Sequence, residues 1–351
     1  MGALPNKLTG FQDVEDDEVR AKFEGAWDCE IPATNGWNLT EMFEAMERDE
    51  LKAVYCIGEN PADSEADVKH ARAMLERLDV LVVQDVFLTR TAQMADVVLP
   101  AALGWAESDG TVTNSERRVQ RMRAAIPPPG EARQEIGIIN DLAAQMGDGG
   151  WGNPTAEELW EELRTVSPMH AGMSWERLEG EGGIQWPCPT EDHPGSPFLH
   201  GRLWERPAGG RLAPFSCVED RRPLDELSDE FPLRLTTVRA LDSYNTGVQT
   251  DKYSSPIRTG EALEISPADA ADLGVVEGER VNVSSRRGAI EMTIGIDRDL
   301  AVGLCHTTFH FPETTDINQI TSDAVDPKSG TAEFKAAAVR VDKLVEVATG
   351  A

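Results

Sequence analysis

A chain of 351 residues is long enough for two or three domains of ordinary size. Its 62 acidic and 33 basic residues leave a net charge of −29, and the acidic residues are spread along the whole chain. This balance excludes the basic face that nucleic-acid binding requires. The excess of acidic residues is typical of halophilic proteins, because ions in concentrated salt screen the repulsion between carboxylates. The alternative is an acidic mesophilic protein.

The amino terminus has neither the basic leader nor the apolar core of a signal peptide, and no stretch approaches the ~20 apolar residues that a membrane helix needs. The cysteines lie far apart without a CxxC pair, so no zinc or iron–sulfur ligand set can be recognised locally. We therefore expect a cytoplasmic protein whose cysteines are reduced core residues.

Residues 1–150 are predicted to form an α/β domain, because helices and apolar strands alternate along them. Helices are expected from Asn38 and at 68–78, 89–95 and 135–146, and strands at 51–57, 79–87 and from Asp96. Near-continuous apolar strands separated by helices indicate a parallel sheet that is covered on both faces. The segment 107–123 is polar and is assigned to no element.

Residues 151–230 are predicted to be mainly an irregular connecting segment. A helix with a threonine cap starts near Thr155. The stretch 167–230 is rich in glycine, proline and tryptophan and shows little periodicity, so we expect its tryptophans to hold it against a core.

Residues 231–347 are rich in β-forming stretches. A hairpin turn is expected at 284–288, between two alternating strands, and a short helix at 267–274, which proline opens and glycine closes. These features predict a separate small β-barrel.

Polar residues follow two strands of the predicted sheet. In open α/β sheets ligands bind beyond the carboxyl ends of the strands, where a glycine lets the backbone approach a phosphate or ribose and an acid holds a ribose or base edge. A purely structural turn at Gly58 and a helix-capping role for Asp85 are the alternatives. The candidates are Gly58, Glu59, Asn60, Asp63, Ser64, Gln84 and Asp85.

A second group of candidates lies in the barrel. One strand carries Thr237 and Arg239, and the loop after it is dense in side-chain donors, which suits an anionic ligand rich in heteroatoms. A surface ion pair is the alternative for Arg239. His310, between two phenylalanines, is expected to be hydrogen-bonded packing rather than catalytic. The loop and later candidates are Ser243, Tyr244, Asn245, Phe309, Asn318 and Lys335.

Several segments together resemble a known family. They include MGALPN, IGENPADSEADVKHARAMLERLDVLVVQDVFLTRTAQMADVVLPAAL, DGTVTNSERRVQ, LTTVRALDSYNTGVQT, ISPADAADLGVVEGERVNVSSRRGAI and EFKAAAVRV. In this order and spacing the chain resembles the catalytic alpha subunits of formate dehydrogenases, which are molybdopterin oxidoreductases. The barrel segments are shared with nitrate reductases, whereas MGALPN and DGTVTNSERRVQ favour formate dehydrogenase.

The resemblance implies a Rossmann-like parallel α/β sheet domain followed by a double-psi (aspartate-decarboxylase-like) β-barrel. It implies a bis(molybdopterin guanine dinucleotide) cofactor that carries molybdenum or tungsten. From the sheet, Gly58, Glu59, Asn60, Ser64, Gln84 and Asp85 would hold the nucleotide part of one dinucleotide. From the barrel, Thr237, Arg239, Ser243, Tyr244, Asn245, Phe309, Asn318 and Lys335 would contact the cofactor.

In this family the metal-binding cysteine or selenocysteine, the catalytic histidine and arginine and a 4Fe-4S cluster belong to a preceding half. The resemblance therefore covers the carboxy-terminal half, and no catalytic or metal-binding residue is carried over. We expect a fragment, a split gene or a start assigned at an internal methionine, from a haloarchaeal source. The expected partners are the amino-terminal half and electron-transfer subunits. A nitrate reductase, a non-catalytic cofactor-binding subunit and a non-functional remnant are the alternatives.

Overall fold

The computed structural model describes residues 4–149, 151–199, 215–247, 260–327 and 330–344. The helices are α1 (Asp17–Trp27), α2 (Leu39–Glu47), α3 (Pro61–Ser64), α4 (Val68–Leu75), α5 (Arg90–Met94), α6 (Gly104–Glu107), α7 (Glu135–Gln145), α8 (Ala156–Val166), α9 (Trp175–Glu181) and α10 (Pro267–Leu273), with a 3₁₀ helix at Ile317–Gln319. The first strands are β1 (Lys7–Leu8), β2 (Gln12–Asp13), β3 (Ala53–Ile57), β4 (Val80–Asp85), β5 (Val97–Pro100), β6 (Gly110–Thr113), β7 (Arg118–Met122) and β8 (Ile184–Gln185). The later strands are β9 (Leu233–Thr237), β10 (Ala262–Ile265), β11 (Arg280–Ser284), β12 (Ala289–Ile296), β13 (Leu304–Thr307) and β14 (Ala337–Lys343).

The chain divides into two compact units, and the division differs from the predicted boundaries at 150 and 230. Unit 1 comprises Met1–Asn38 and Pro100–Glu219, and unit 2 comprises Leu39–Leu99 and Asp220–Ala351. Residues 39–99 group with the barrel because buried polar contacts join them to it, among them the ion pair between Arg72 and Asp316.

Unit 2 contains a three-stranded sheet in the order β3-β4-β5. The strands β3 and β4 pair in parallel from Ala53 opposite Val80 to Ile57 opposite Gln84, as the sequence predicts. The expected covering of both faces does not extend to β5, where the neighbouring Val97 and Val98 are 45% and 39% exposed. Successive residues of a strand point to opposite faces, so this edge strand is partly open on both.

The rest of unit 2 is a closed barrel in the strand order β10-β12-β11-β14-β9-β13. The predicted hairpin turn joins β11 to β12. The predicted short helix is α10, in which Ser266 accepts a hydrogen bond from the backbone N of Asp269 and Gly274 ends the helix in the left-handed region. The barrel core contains Leu235, Leu263, Ile265, Val281, Val283, Ile294, Ile317, Ile320 and Val339.

Unit 1 shows that the polar segment 107–123 is structured. The strands β6 and β7 form an antiparallel hairpin, which β8 extends. The Asn114 side chain accepts hydrogen bonds from the backbone N atoms of Glu116 and Arg118, so a polar side chain builds the turn. Residues 151–230 contain the predicted helix α8, and they are less irregular than expected because α9 and β8 also lie within them. Of the tryptophans in 167–230, Trp186 is buried in the core of this unit and Trp175 packs against it, as predicted, whereas Trp204 lies outside the described residues. Trp160, on α8, is buried in the same core.

None of the helices within the described residues combines the length and the apolar content that crossing a bilayer requires. The predicted burial of the cysteines is correct for Cys56, Cys188 and Cys305. It is wrong for Cys29 and Cys217, which are exposed.

One buried carboxylate fixes the start of the barrel. Asp225, whose side chain is 2% exposed, accepts hydrogen bonds from Arg286, from Nη1 of Arg287 at 3.0 Å and from the backbone N of Ala338 at 2.9 Å. The segment that leads into β9 is therefore attached to the β11–β12 hairpin and to β14.

We expect Asp225→Asn to lower the free energy of unfolding by about 3 kcal/mol, because it leaves two arginines without their shared carboxylate. Denaturant titration would measure the change. The control is Asp342→Asn, which removes a half-exposed ion pair with Arg340 and should cost less than about 1 kcal/mol. Equal losses in the two variants would contradict the role of Asp225.

Candidate functional site

The carboxyl end of the sheet has an open glycine beside an unsatisfied amide. Gly58 has φ +65°, its backbone N donates to the carbonyl of Gln84 at 2.9 Å, and a Cβ at this position would meet no atom within 4 Å. The Gln84 side chain is 1% exposed; its Oε1 accepts from the Tyr55 hydroxyl, and its Nε2 has no partner among the described residues. A buried donor of this kind fits a ligand rich in acceptor oxygens and nitrogens.

The neighbouring candidates differ in exposure. Glu59 is exposed and Ser64 is half-buried. Asp85 is also half-buried, its Oδ1 accepts from the backbone N of Phe87 at 2.9 Å, and burial raises the pKa of its carboxyl. The alternative role of Asp85 as a helix cap is wrong, because Thr89 caps α5 by accepting from the backbone N of Ala92.

The Asn60 side chain forms hydrogen bonds within the protein. Its Oδ1 accepts from the Thr91 hydroxyl at 2.8 Å and its Nδ2 donates to Asp63 at 2.9 Å. Asp63, expected to reach the ligand, is instead buried and paired with Arg72 at 3.0 Å and with Arg90 at 2.6 Å. These contacts shape the loop after β3, so they act on a ligand through Gly58 and Glu59.

In the barrel, the strand β9 and the loop after it bring the candidate donors together. Arg239 donates to Oδ1 of Asn245, and its guanidinium lies 5.0 Å from the ring centroid of Tyr244. Among the described residues, Arg239 makes these contacts rather than the ion pair given as the alternative. Tyr244 is 52% exposed, so its ring offers an accessible face. Ser243 lies in the same loop, and Phe309 packs against the barrel core.

Two cations lie near the end of β9. The Lys335 ammonium donates to the carbonyl of Thr237, whose hydroxyl donates to the carbonyl of Phe334 at 3.1 Å. Burial, and secondarily the charge of Arg239, lowers the pKa of Lys335. An anionic group bound between Lys335 and Arg239 would relieve this repulsion.

Asn318 connects the two groups of candidates. It is 3% exposed, and its Nδ2 donates to the carbonyl of Asp63 at 3.0 Å, so the 3₁₀ helix of the barrel touches α3, which follows β3. Sequence reasoning did not identify Arg72 and Asp316, which pair at 2.7 Å beside this contact. The two residues are 244 positions apart, so no local pattern could have revealed them.

The model of the molybdopterin oxidoreductase family matches residues 3–145, and that of the molydopterin dinucleotide binding domain matches residues 233–338. The chain therefore contains one region similar to the molybdopterin oxidoreductase family and one similar to the molydopterin dinucleotide binding domain. Both groups of candidate residues lie within the matched ranges.

Two curated relatives show how far the likeness extends. The chain is 42% identical to F420-dependent formate dehydrogenase 2 subunit alpha of Methanococcus maripaludis, over 98% of this chain and 50% of that one. It is 33% identical to the assimilatory nitrate reductase catalytic subunit of Bacillus subtilis, over 97% of this chain and 49% of that one. The chain therefore spans about half the length of the curated relatives it matches.

Among solved structures, acetylene hydratase from Pelobacter acetylenicus matches 93% of this chain and 50% of its own chain with a TM-score of 0.67. At 20% identity, this likeness shows the fold alone. The mixed α/β arrangement with a closed barrel thus has a counterpart in a solved molecule.

Glu65, which follows α3, gives the sheet end a pH dependence. Burial, and secondarily the charge of Glu59, raises its pKa from 4.5 to about 7. The folded chain therefore holds this proton more tightly than the unfolded chain, and stability is lost as the pH rises from about 4.5 through about 7. We expect Glu65→Gln to raise the free energy of unfolding by roughly 3 kcal/mol at pH 8 and by much less at pH 5.

Denaturant titrations at the two pH values would check this expectation. Glu76→Gln, at an exposed position that follows α4, is the control and should show no gain that depends on pH. A gain of the same size at pH 5 and pH 8 for Glu65→Gln would contradict the explanation.

Proposed function

We propose that this chain is the cofactor-binding part of a formate dehydrogenase catalytic subunit and holds a bis(molybdopterin guanine dinucleotide) with molybdenum or tungsten. When bound, such a cofactor supplies the two-electron redox chemistry that converts formate to carbon dioxide. The residues of this chain supply binding and orientation. The sheet would be the Rossmann-like domain and the barrel the double-psi domain of that family.

The unsatisfied amide of Gln84 beside the open Gly58 is the observation that carries the proposal. A buried donor without a partner is costly, and a guanine, ribose or phosphate acceptor would satisfy it. On the sheet side, we assign Gly58, Glu59, Ser64, Gln84 and Asp85 to the nucleotide portion, with Asn60 shaping their loop.

On the barrel side, we assign Lys335 and Arg239 to the anionic groups of the cofactor. Arg239 presents a planar guanidinium, which suits phosphate, and Lys335 adds a point charge beside it. The remaining barrel contacts are assigned to Thr237, Ser243, Tyr244, Asn245, Phe309 and Asn318.

The higher identity to a formate dehydrogenase subunit supports formate over nitrate as the substrate. The relatives are about twice as long as the stretch that they share with this chain. We therefore propose that the metal ligand, the substrate-binding residues and a 4Fe-4S cluster lie on a polypeptide that corresponds to the other half of the relatives. That polypeptide would be the amino-terminal half of the same subunit or a separately encoded partner. Electron-transfer subunits would accept the electrons.

We also propose that the acidic composition is an adaptation to concentrated salt and that the enzyme works in the cytoplasm. At a net charge of −29, self-repulsion is weakened by dense counterions. Purification should therefore be done in molar salt.

The test is to attach a carboxy-terminal tag to the chain in its native host and purify it in molar salt. Intact mass, pterin, metal and formate oxidation would then be measured on one sample. We expect pterin guanine dinucleotide, a metal and formate-dependent dye reduction, in one long polypeptide or in a complex with a second one. A preparation that reduces nitrate but does not oxidise formate would contradict the substrate, and one that lacks pterin would contradict the function.

We expect Gln84→Leu to separate cofactor binding from stability. The variant removes a buried donor that has no partner among the described residues, and it also removes the acceptor of the Tyr55 hydroxyl. The first loss is favourable and the second unfavourable, so the free energy of unfolding of the ligand-free chain should change by no more than about 1 kcal/mol. Loss of the donor should raise the dissociation rate of the pterin dinucleotide about tenfold. Pterin fluorescence after gel filtration would measure retention. Gln93→Leu, on α5, is the control, and equal retention in the two variants would contradict the assignment of Gln84.

A further inference from the structure

We propose that His310 is a positioning residue that holds the loop 240–247 in the shape required for binding the cofactor. The inference rests on the proposed function, because this loop carries Ser243, Tyr244 and Asn245 and follows Arg239 directly. The predicted packing role of His310 is confirmed, since its side chain is 1% exposed. The structure adds that both ring nitrogens bind this single loop.

The imidazole bridges the two ends of the loop. Nε2 accepts a hydrogen bond from the backbone N of Ala240 at 3.1 Å, and Nδ1 donates to the carbonyl of Asn245 at 2.5 Å. One contact needs an acceptor and the other a donor, so the neutral tautomer with its proton on Nδ1 satisfies both. Phenylalanine would fill the space but make neither bond.

The backbone of His310 is fixed from the opposite side. Its N donates at 2.8 Å to Oε1 of Glu261, a buried carboxylate that also accepts from the Thr308 hydroxyl. The anchor is therefore the side chain of the residue that directly precedes β10.

The loop also packs closely against this residue at its far end. Gly247 has φ +73°, and a Cβ there would lie 1.9 Å from the carbonyl oxygen of His310. Only glycine allows this approach. Three points of the loop, Ala240, Asn245 and Gly247, are thus set by one buried histidine.

These contacts determine where the binding groups point. Asn245 has φ +44°, a conformation that a non-glycine residue adopts at a cost, and the hydrogen bond to its carbonyl helps to hold it there. Its side chain in turn accepts from Arg239. Without the imidazole, Asn245 would lose the hydrogen bond to its carbonyl. The acceptor that orients the Arg239 side chain would then no longer be held in place.

Two variants of His310 separate the two bonds. His310→Asn keeps a donor near the position of Nδ1 and loses the acceptor for Ala240, whereas His310→Gln keeps an acceptor near Nε2 and loses the donor to Asn245. Amide hydrogen exchange of residues 240–247 in the ligand-free full chain would report on the loop. Pterin retention in the loaded protein would report on binding.

We expect exchange in the loop and pterin dissociation to rise about tenfold in His310→Asn and in His310→Gln, and about a hundredfold in His310→Ala. Protection of β11 and β12 should be unchanged. His170→Asn is the matched control, because this histidine bonds the Ser167 hydroxyl at 2.7 Å in unit 1 and should leave both readouts at wild-type values. If His310→Ala does not fold, the Asn and Gln variants carry the test.

Unchanged loop exchange in the Asn and Gln variants would overturn the bridging role of His310. Faster loop exchange with wild-type pterin retention would overturn its link to binding. A wild-type chain that holds no pterin dinucleotide would instead overturn the proposed function, while the exchange data on the ligand-free chain would still decide whether His310 holds the loop.

Discussion

The arrangement of unit 2 depends on one guanidinium. Arg72, on α4, donates to Asp63 at 3.0 Å, to Asp316 at 2.7 Å and, through Nε, to the carbonyl of Ala62 at 2.7 Å. Both carboxylates are buried, and a buried carboxylate that loses its partner costs roughly 3–5 kcal/mol. The loop after β3 and the 3₁₀ helix of the barrel are therefore held together, and the candidate residues on both sides keep their places because of it.

Two of the candidate residues lie in unfavourable arrangements. Among the described residues, Gln84 buries an amide donor without a hydrogen-bond partner, and Lys335 places a partly buried cation near Arg239 in a chain with a net charge of −29. Each arrangement is unfavourable in the isolated chain and becomes favourable when an acceptor-rich anion binds. Such local conflicts are expected at functional positions.

The predicted elements were reliable where periodicity is strong. The apolar runs of β3 and β4, the capped helix α10 and the β11–β12 hairpin all form where their patterns place them. The hairpin β6–β7 was missed because its strands are polar and its turn is built by Asn114 rather than by glycine or proline. The exposure of β5 was also missed, since an apolar run looks the same in an edge strand as in a central one.

The sequence by itself determined the α/β and barrel segments, the acidic surface and the polar residues that end each strand, because these depend on residues close together in the chain. Only the tertiary structure decided that residues 39–99 group with the barrel, that Asp63 is paired with Arg72 and Arg90, and that His310 bonds to both ends of one loop. Hydrogen bonds and ion pairs such as Ala240 with His310 and Arg72 with Asp316 join residues 70 and 244 positions apart and leave no mark on local periodicity. The same residue types therefore predict either a ligand contact or a structural one until the fold brings their partners together.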